Sequence, residues 1–259
     1  METLPKITVI TPTLNQCDYI EQTIHSVLSQ NYPNLEYIVM DGGSTDSTLE
    51  ILKKYEGRLH RISEKDRGQS HAINKGLRMA SGEVVAFLNS DDYYEPGALL
   101  KVGKFFKGHP EAGWLTGKCR TLNSEGKEIR KLITLYKNFW LKTKSYQVLL
   151  VLNYISQPAT FWRKNVIDAV GEFDETLRYA MDYDYSLRVG SQFKLWILDD
   201  TLASFRIHPS SKAGSSAHAQ FDSDFQIAKR YITSPLLVRL HAVHNAITVN
   251  VYRKLMSSN

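Results

Sequence analysis

Along this chain, short apolar runs alternate with stretches in which apolar residues recur every three or four positions. Lys6-Ile7-Thr8-Val9-Ile10 predicts a strand that stops at Thr11-Pro12-Thr13, where proline removes a ladder donor. Ile20, Ile24, Val27 and Leu28 mark one face of a helix, with Asp18 and Glu21 spaced as a capping pair. Leu35 to Met40 predicts a second strand, Leu49, Leu52 and Tyr55 a helical stripe, and Leu59 to Ser63 a short strand. Ala72, Ile73, Gly76, Leu77 and Ala80 make another helix, and Glu83 to Leu88 reads as a strand buried on both faces.

Strands alternating with helices predict an α/β fold, a mostly parallel sheet flanked by helices, with ligands beyond the carboxyl ends of the strands. Four polar clusters fall at such ends: Thr11 to Asn15, Asp41 to Asp46, Asp66 to Gly68 and Asn89 to Asp92. They predict one crevice with four contributors. Beyond Asp92 the alternation fades. A helix is expected over Ala98 to Phe106, a hairpin turn at Asn123-Ser124-Glu125-Gly126, a strand over Gln157 to Trp162 and a short helix ending at Gly171. A helix opens at Ala180 to Tyr185, strands follow over Phe193 to Leu198 and Ala203 to His208, and a loop runs from Pro209 to Ser216. Leu236, Leu240, Val243, Ile247, Val251 and Leu255 form a C-terminal helical stripe, read as packing on the chain's own body or on a twin subunit in a homodimer. Arg239, Arg253 and Lys254 beside it keep peripheral membrane binding open.

Composition narrows the class without changing the fold. With 259 residues, 42% hydrophobic and 23% charged, the chain is ordinary globular protein. Neither a signal peptide nor a spanning helix is expected, and Cys17 and Cys119 have no metal-like spacing, so the reading is cytoplasmic, with attachment to the inner face of the membrane left open. A net charge of +5 without a basic stripe or module argues against a nucleic-acid partner. Basic residues concentrate between Lys127 and Lys144, around Tyr136, Phe139 and Trp140; both a solvated face and a surface meeting phospholipid or an anionic acceptor fit them.

The chemistry is set by absences as much as by motifs. Glycine-rich dinucleotide and P-loop signatures are missing, as are H-E-x-x-H and G-x-S-x-G. What remains is Asp91 beside Asp92 at the end of an apolar run. Two such carboxylates repel unless a cation stands between them, although Asn-Ser-Asp-Asp is also good turn chemistry. Mg²⁺ or Mn²⁺ on one or two carboxylates completes its shell with water and substrate phosphates, which suggests a diphosphate ligand. With Asp41 or Asp66 accepting from a base N–H, the crevice fits a nucleoside diphosphate and whatever it carries.

Thr11-Pro12-Thr13-Leu14-Asn15, Asp41-Gly42-Gly43-Ser44-Thr45-Asp46, Asp66-Arg67-Gly68-Gln69-Ser70, Ala72-Ile73-Asn74-Lys75-Gly76, Asn89-Ser90-Asp91-Asp92, Gly171-Glu172-Phe173-Asp174-Glu175 and Asp182-Tyr183-Asp184, in this order, resemble the family 2 glycosyltransferases from about Lys6 to Ser216. The resemblance implies a GT-A fold, a nucleotide-sugar donor, a divalent cation (Mn²⁺ or Mg²⁺) and inversion at the anomeric carbon. It implies a domain over 1–216, with a nucleotide-sugar-binding half at 1–95 and an acceptor-binding half at 96–216, and a helical extension at 217–259. Thr11, Pro12, Thr13, Asn15, Asp41, Ser44, Asp66, Asn74, Ser90 and Asp91 would bind the nucleotide sugar. Asp92 would be the direct metal ligand, with Asp91 on the ribose or a metal-bound water and His208 a further ligand. Asp182 would be the catalytic base, with Asp184, two residues along the helix start and pointing elsewhere, structural or acceptor-binding; Gln157 and Trp162 would face the acceptor, although a tryptophan at a strand end also fits simple core. His71 stands where similar sequences often carry Asp, which bears on donor or acceptor preference.

The expected activity is sugar transfer from a nucleotide-diphosphate sugar to a hydroxyl of a glycan or lipid-linked saccharide, with UDP the default nucleotide and GDP and dTDP open. A non-catalytic nucleotide-sugar or glycan-binding protein of the same fold is the alternative, and a metal-dependent phosphohydrolase is a third reading.

Overall fold

The computed structural model describes residues 3–212 and 217–257, leaving out the side chains of 217, 218 and 253–257. Its first half is a run of strands and helices: β1 (Ile7–Thr13), α1 (Ile20–Leu28), β2 (Leu35–Asp41), α2 (Thr48–Lys53), β3 (His60–Ser63), α3 (Gln69–Met79) and β4 (Val84–Phe87). β1 pairs in parallel with β2 on one side and β4 on the other, and β3 lies outside β2. Successive residues enter opposite cores, as the two-residue period of a strand requires. Ile10, Ile38, Met40, Val85 and Phe87 meet α3, whereas Ile7, Val9, Tyr37, Val39, Val84 and Ala86 meet α1 and α2. Each such buried aliphatic contributes about 1.5–3 kcal/mol. The capping pair at Asp18 and Glu21 does not form: α1 starts after Tyr19, without a side-chain cap.

β1 does not stop at the proline but continues to Thr13, with Pro12 opposite Met40. Leu88 N donates to Ile10 O (2.8 Å) and Gly42 N to Thr13 O (2.9 Å), so alternation turns Pro12 toward β4. Pairing with β4 has already ended at Ile10, and the missing donor therefore breaks no bond. The fork that opens between β1 and β4 is the root of the crevice.

The second half completes the sheet with β5 (Tyr93–Tyr94), β6 (Trp114–Leu122), β7 (Thr160–Arg163) and β8 (Leu195–Arg206), in the order β3-β2-β1-β4-β7-β6-β8-β5. β7 runs antiparallel between β4 and β6. Helices α4 (Ala98–Gly108), α5 (Lys131–Leu141), α6 (Tyr146–Val151), α7 (Lys164–Val170) and α8 (Met181–Gly190) cover it, with a 3₁₀ turn at Gln157–Ala159 where strand was expected. The two expected strands around 193–208 are one strand. Asp199 and Asp200, which interrupt the apolar pattern, are absorbed as pairing passes from Gly117↔Leu198 to Lys118↔Thr201. The turn at 123–126 forms, but its return arm is only a bridge from Leu122 to Glu128 before α5 begins.

The C-terminal stripe divides into α9 (Ala217–Tyr231) and α10 (Pro235–Ser257), the second opening on a proline where a helix tolerates one. Ile227, Ala228 and Ile232 join the core beside α8. The expected stripe does not pack on the chain's own body: Leu236, Leu240, Val243, Ile247 and Val251 are 43–64% exposed, because α10 turns Leu237, Val238 and His241 inward instead. Residues 213–216 of the expected loop and the side chains of Arg253, Lys254 and Leu255 lie outside the described residues. Among the described residues no helix is long and apolar enough to cross a membrane.

Candidate active site

The carboxyl ends of β1 and β4, the loop after β3 and the start of α8 enclose a crevice of about 710 Å³. Of the expected residues, Pro12, Thr13, Asp66, Ser90, Asp91, Gln157 and Asp182 line it. Leu14, Arg67 and Lys212 line it as well. The others stand behind its wall, and their contacts say why.

Asp41 is 1% exposed, and its carboxylate accepts from Gly43 N (3.1 Å), Ser44 N (3.1 Å), Ser44 Oγ and Ser63 Oγ (2.6 Å). With both oxygens engaged it shapes the loop after β2, which leaves Asp66 as the member of the expected pair on the crevice side. Asn15 joins that loop to the end of β1: its N–H donates to Ser44 Oγ (2.8 Å) and its Oδ1 accepts from Thr45 N (2.8 Å). Thr11 is buried against the Tyr37 hydroxyl (3.1 Å). Asp66 is the acid left on the crevice side. Its Oδ1 accepts from Gly68 N (2.8 Å), and its Oδ2 lies where a Cβ on Gly42 would come within 2.5 Å, so Gly42 makes the room Asp66 occupies.

The segment after β4 is a turn, closed by Asp92 N donating to Asn89 O (3.1 Å), and it separates the two carboxylates. Asp92 is fully buried; its Oδ1 accepts from Arg206 N (2.9 Å) and its Oδ2 from Asn89 Nδ2 (3.2 Å). Burial, with Asp91 beside it, pushes its carboxyl well above the ordinary range. Asp92 is thus an anchor between β4 and β8, while Asp91 is the member of the pair that lines the crevice. Asp91 faces the crevice, its Oδ2 3.1 Å from His208 Nε2. The His208 ring is held by Ser210 Oγ on Nδ1 (2.9 Å) and by Tyr19, whose ring centroid lies 4.4 Å away.

One carboxylate and one imidazole nitrogen suit a hard or borderline cation whose other ligands are phosphate and water oxygens. Among the described residues no group of three His, Cys, Asp or Glu could hold a metal.

Asp182 lies in the first turn of α8, after Ala180 takes a left-handed φ of 56°. It lines the crevice and also a second hollow of about 640 Å³; Asn89, Gln157, Phe205 and Gln220 are likewise common to both. Gln157 donates Nε2 to Phe87 O (2.6 Å) and has no partner on Oε1 among the described residues. Three expected residues make structural contacts, which for Asp184 and Trp162 is one of the two roles expected. Asp184 is buried, pairing with Arg188 Nε (2.9 Å) and accepting from the Tyr231 hydroxyl (2.8 Å). Trp162 lies in the core among Phe87, Phe173 and Tyr185. Asn74 bonds both N and O of Phe173 (2.9 Å each), fixing the loop before α8.

Sequence reasoning missed Lys212, whose Nζ donates to Gln69 Oε1 (2.8 Å) and Arg178 O (3.0 Å) on the crevice rim. It stands in a Ser-rich loop with no periodicity to place it. It also missed Lys137 and Asp224 in the second hollow, which are far apart in sequence and belong to helices with no motif of their own.

A sequence model described as Glycosyl transferase family 2 matches residues 8–170. TuaG of Bacillus subtilis, a glycosyltransferase assigned to teichuronic acid biosynthesis, is 44% identical over 117 residues, covering 44% of this chain and 46% of TuaG. The chain therefore aligns with less than half of that relative's length. A PGL/p-HBAD biosynthesis glycosyltransferase of Mycobacterium tuberculosis is 28% identical over 192 residues, 71% of this chain and 69% of that protein. Among solved structures, S. aureus TarS 1-349 in complex with UDP-GlcNAc is similar at a TM-score of 0.69 and 22% identity, covering 89% of this chain and 67% of that one. The mannosyltransferase PcManGT from Pyrobaculum calidifontis, in complex with GDP-Man and Mn²⁺, is similar at 0.67 and 19%, covering 94% and 69%. At these identities the two structures establish the fold.

Proposed function

The chain belongs to glycosyl transferase family 2 and has the GT-A fold, and on that footing we propose that it is an inverting transferase moving a sugar from a nucleotide-diphosphate sugar to a hydroxyl of a glycan or lipid-linked saccharide. The observation that carries the reading is the position of Asp182 in the wall common to two hollows, one of which is lined by Asp91 with His208 behind it. A donor in the crevice and an acceptor in the second hollow would meet at that carboxylate.

Residues 1–95 then serve the donor and 96–216 the acceptor, with 217–259 as a helical extension. Asp66 accepts from the base N–H, Thr13 and Ser90 line the nucleoside side, and Asp91 and His208 would hold Mn²⁺ or Mg²⁺. When bound, such a cation offsets the charge that grows on the departing diphosphate. Asp182 takes the acceptor hydroxyl's proton as that oxygen bonds to the anomeric carbon and the bond to the diphosphate breaks. Attack comes from the face opposite the leaving group, so the configuration inverts. The nucleotide sugars bound by TarS and PcManGT support the donor class, with UDP the first choice, and the biosynthetic assignments of TuaG and the mycobacterial relative support a cell-surface glycan or glycolipid acceptor.

Incubation with UDP-, GDP- and dTDP-sugars and Mn²⁺, with products separated by mass, tests the reading. Release of nucleoside diphosphate together with a glycosylated acceptor or free sugar supports transfer. Release of inorganic phosphate would mean a phosphohydrolase, and nucleotide-sugar binding without turnover would mean a binding protein.

A further inference from the structure

The second hollow has two chemically different ends. At the inner end Asp182 and Lys137 act electrostatically on Asp224, which is 6% exposed. Asp224 Oδ2 accepts from Asn153 Nδ2 (3.3 Å), while Oδ1 has no hydrogen-bond partner among the described residues. A buried carboxyl oxygen without a partner is costly, and a hydroxyl-bearing ligand in the hollow would satisfy it. Burial raises the Asp224 carboxyl to about 8, so at neutral pH it carries a proton and can donate as well as accept. Toward α5 and α10 the lining is largely apolar, with Ile133, Tyr136, Phe221, Ile247 and Val251, beside the polar side chains of His244, Asn245 and Thr248.

The apolar surface continues past the mouth. Leu132, Leu135 and Phe139 on α5, and Leu240, Val243 and Ile247 on α10, are all exposed, an extent of uncovered hydrocarbon that marks an interaction surface. Around them the charge is mostly positive. Residues 127–144 carry Lys127, Arg130, Lys131, Lys137, Lys142 and Lys144 against the single acid Glu128. A basic, apolar rim complements an anionic lipid surface.

We propose that the second hollow seats a lipid-linked saccharide, its hydroxyl-bearing head at Asp182 and Asp224 and its hydrocarbon chain leaving between α5 and α10 toward an anionic bilayer. The proposal rests on the transferase reading above and deepens it by naming the acceptor class. A free oligosaccharide would leave Ile133, Phe221, Ile247 and Val251 without an apolar partner.

The test is calorimetric titration of the full chain, in the presence of UDP and Mn²⁺, with maltose and with dodecyl maltoside below its micelle concentration. Dodecyl maltoside should bind at least about tenfold more tightly than maltose, since each buried methylene adds to the gain. Ile247→Asp and Val251→Asp, at exposed positions, should each remove most of that advantage while UDP affinity stays unchanged. Vesicles containing phosphatidylglycerol should retain the chain on flotation, and the pair Leu132→Asp and Leu240→Asp should release it. Equal binding of the two sugars, an unchanged advantage in both cavity variants, or no retention on vesicles overturns the proposal. So does a dimer that Ile247→Asp dissociates without any alkyl-chain effect, which would assign this face to a second copy. If UDP, GDP and dTDP all fail to bind the unaltered protein, it is the transferase reading that falls, and the two failures are thereby told apart.

Discussion

His208 Nε2 lies 3.1 Å from Asp91 Oδ2, which ties the residues just beyond β8 to the turn after β4 across 117 positions of sequence. Asp91→Asn and His208→Ala are each expected to lower Mn²⁺-supported turnover at least about a hundredfold, because loss of a cation ligand removes several kcal/mol of charge stabilisation. His208→Ala also removes a buried ring packed on Tyr19, whereas melting temperature should scarcely move in Asp91→Asn. Asp92→Ala should do the reverse and lower stability by about 1–3 kcal/mol, since it leaves Arg206 N without its acceptor inside the protein. Nucleoside diphosphate release against metal concentration, beside thermal melting, separates the two carboxylates.

Asp182→Asn keeps the shape of the first turn of α8 and removes its basicity. Turnover is expected to fall by about 10²–10⁴-fold, with nucleotide affinity unchanged. Single-turnover kinetics and a nucleotide titration on the same sample check this, and unaltered turnover would sink the assignment of the base.

Gly42→Ala places a methyl group where Asp66 Oδ2 now lies. Nucleotide affinity should drop by about tenfold, which is 1.4 kcal/mol. Asp66→Ala should cost a similar amount, and the double variant should cost little more than either, because both changes remove one interaction. Titrations of the four proteins with a nucleoside diphosphate complete the cycle.

Two carboxylates are expected to give stability opposite dependences on pH. Burial alone would raise Glu36, but hydrogen bonds from Ser81, Thr8 and Lys6 bring it from 4.5 down to about 2. Its contribution of about 2–3 kcal/mol is present above pH 4.5 and is lost as pH falls toward 2. Asp224, raised from 3.8 to about 8 by burial and by Asp182, holds its proton in the folded chain after the unfolded chain has released it. Its effect is complete below pH 3.8 and disappears as pH rises to 8. Denaturant melts from acid to mildly alkaline pH should lose the acid limb in Glu36→Gln and flatten between pH 4 and 8 in Asp224→Asn.

Much of the donor side was legible because its strands are continuous apolar runs and its loops are strings of turn and acidic residues. The parallel order of β1, β2 and β4 follows from that alternation, as does the gathering of Pro12, Thr13, Asp66, Ser90 and Asp91 at one end. What sequence did not reveal was direction. Neighbours in a turn point opposite ways, so Asp91 reaches the crevice while Asp92 is buried, and no periodicity distinguishes them. For Asp182 and Asp184 helical spacing does distinguish them, because residues two apart at the start of α8 point to different sides. Helix α5 was hidden because its apolar residues are largely exposed, Leu132, Leu135 and Phe139 among them, and so they describe no inward face. Trp162 resembled a sugar platform until the neighbours that enclose it, residues 87, 173 and 185, were in place.

The antiparallel partner of β4 is β7, so Val84 and Val85 wait for Trp162 and Arg163. As the chain leaves the ribosome, the first four strands can assemble in turn, yet the outer edge of β4 stays bare until nearly twice that length has been made. A bare apolar edge invites pairing with a neighbouring nascent chain. The donor crevice is thus finished late, and shortened chains that end before β7 are expected to aggregate instead of surviving as small nucleotide binders.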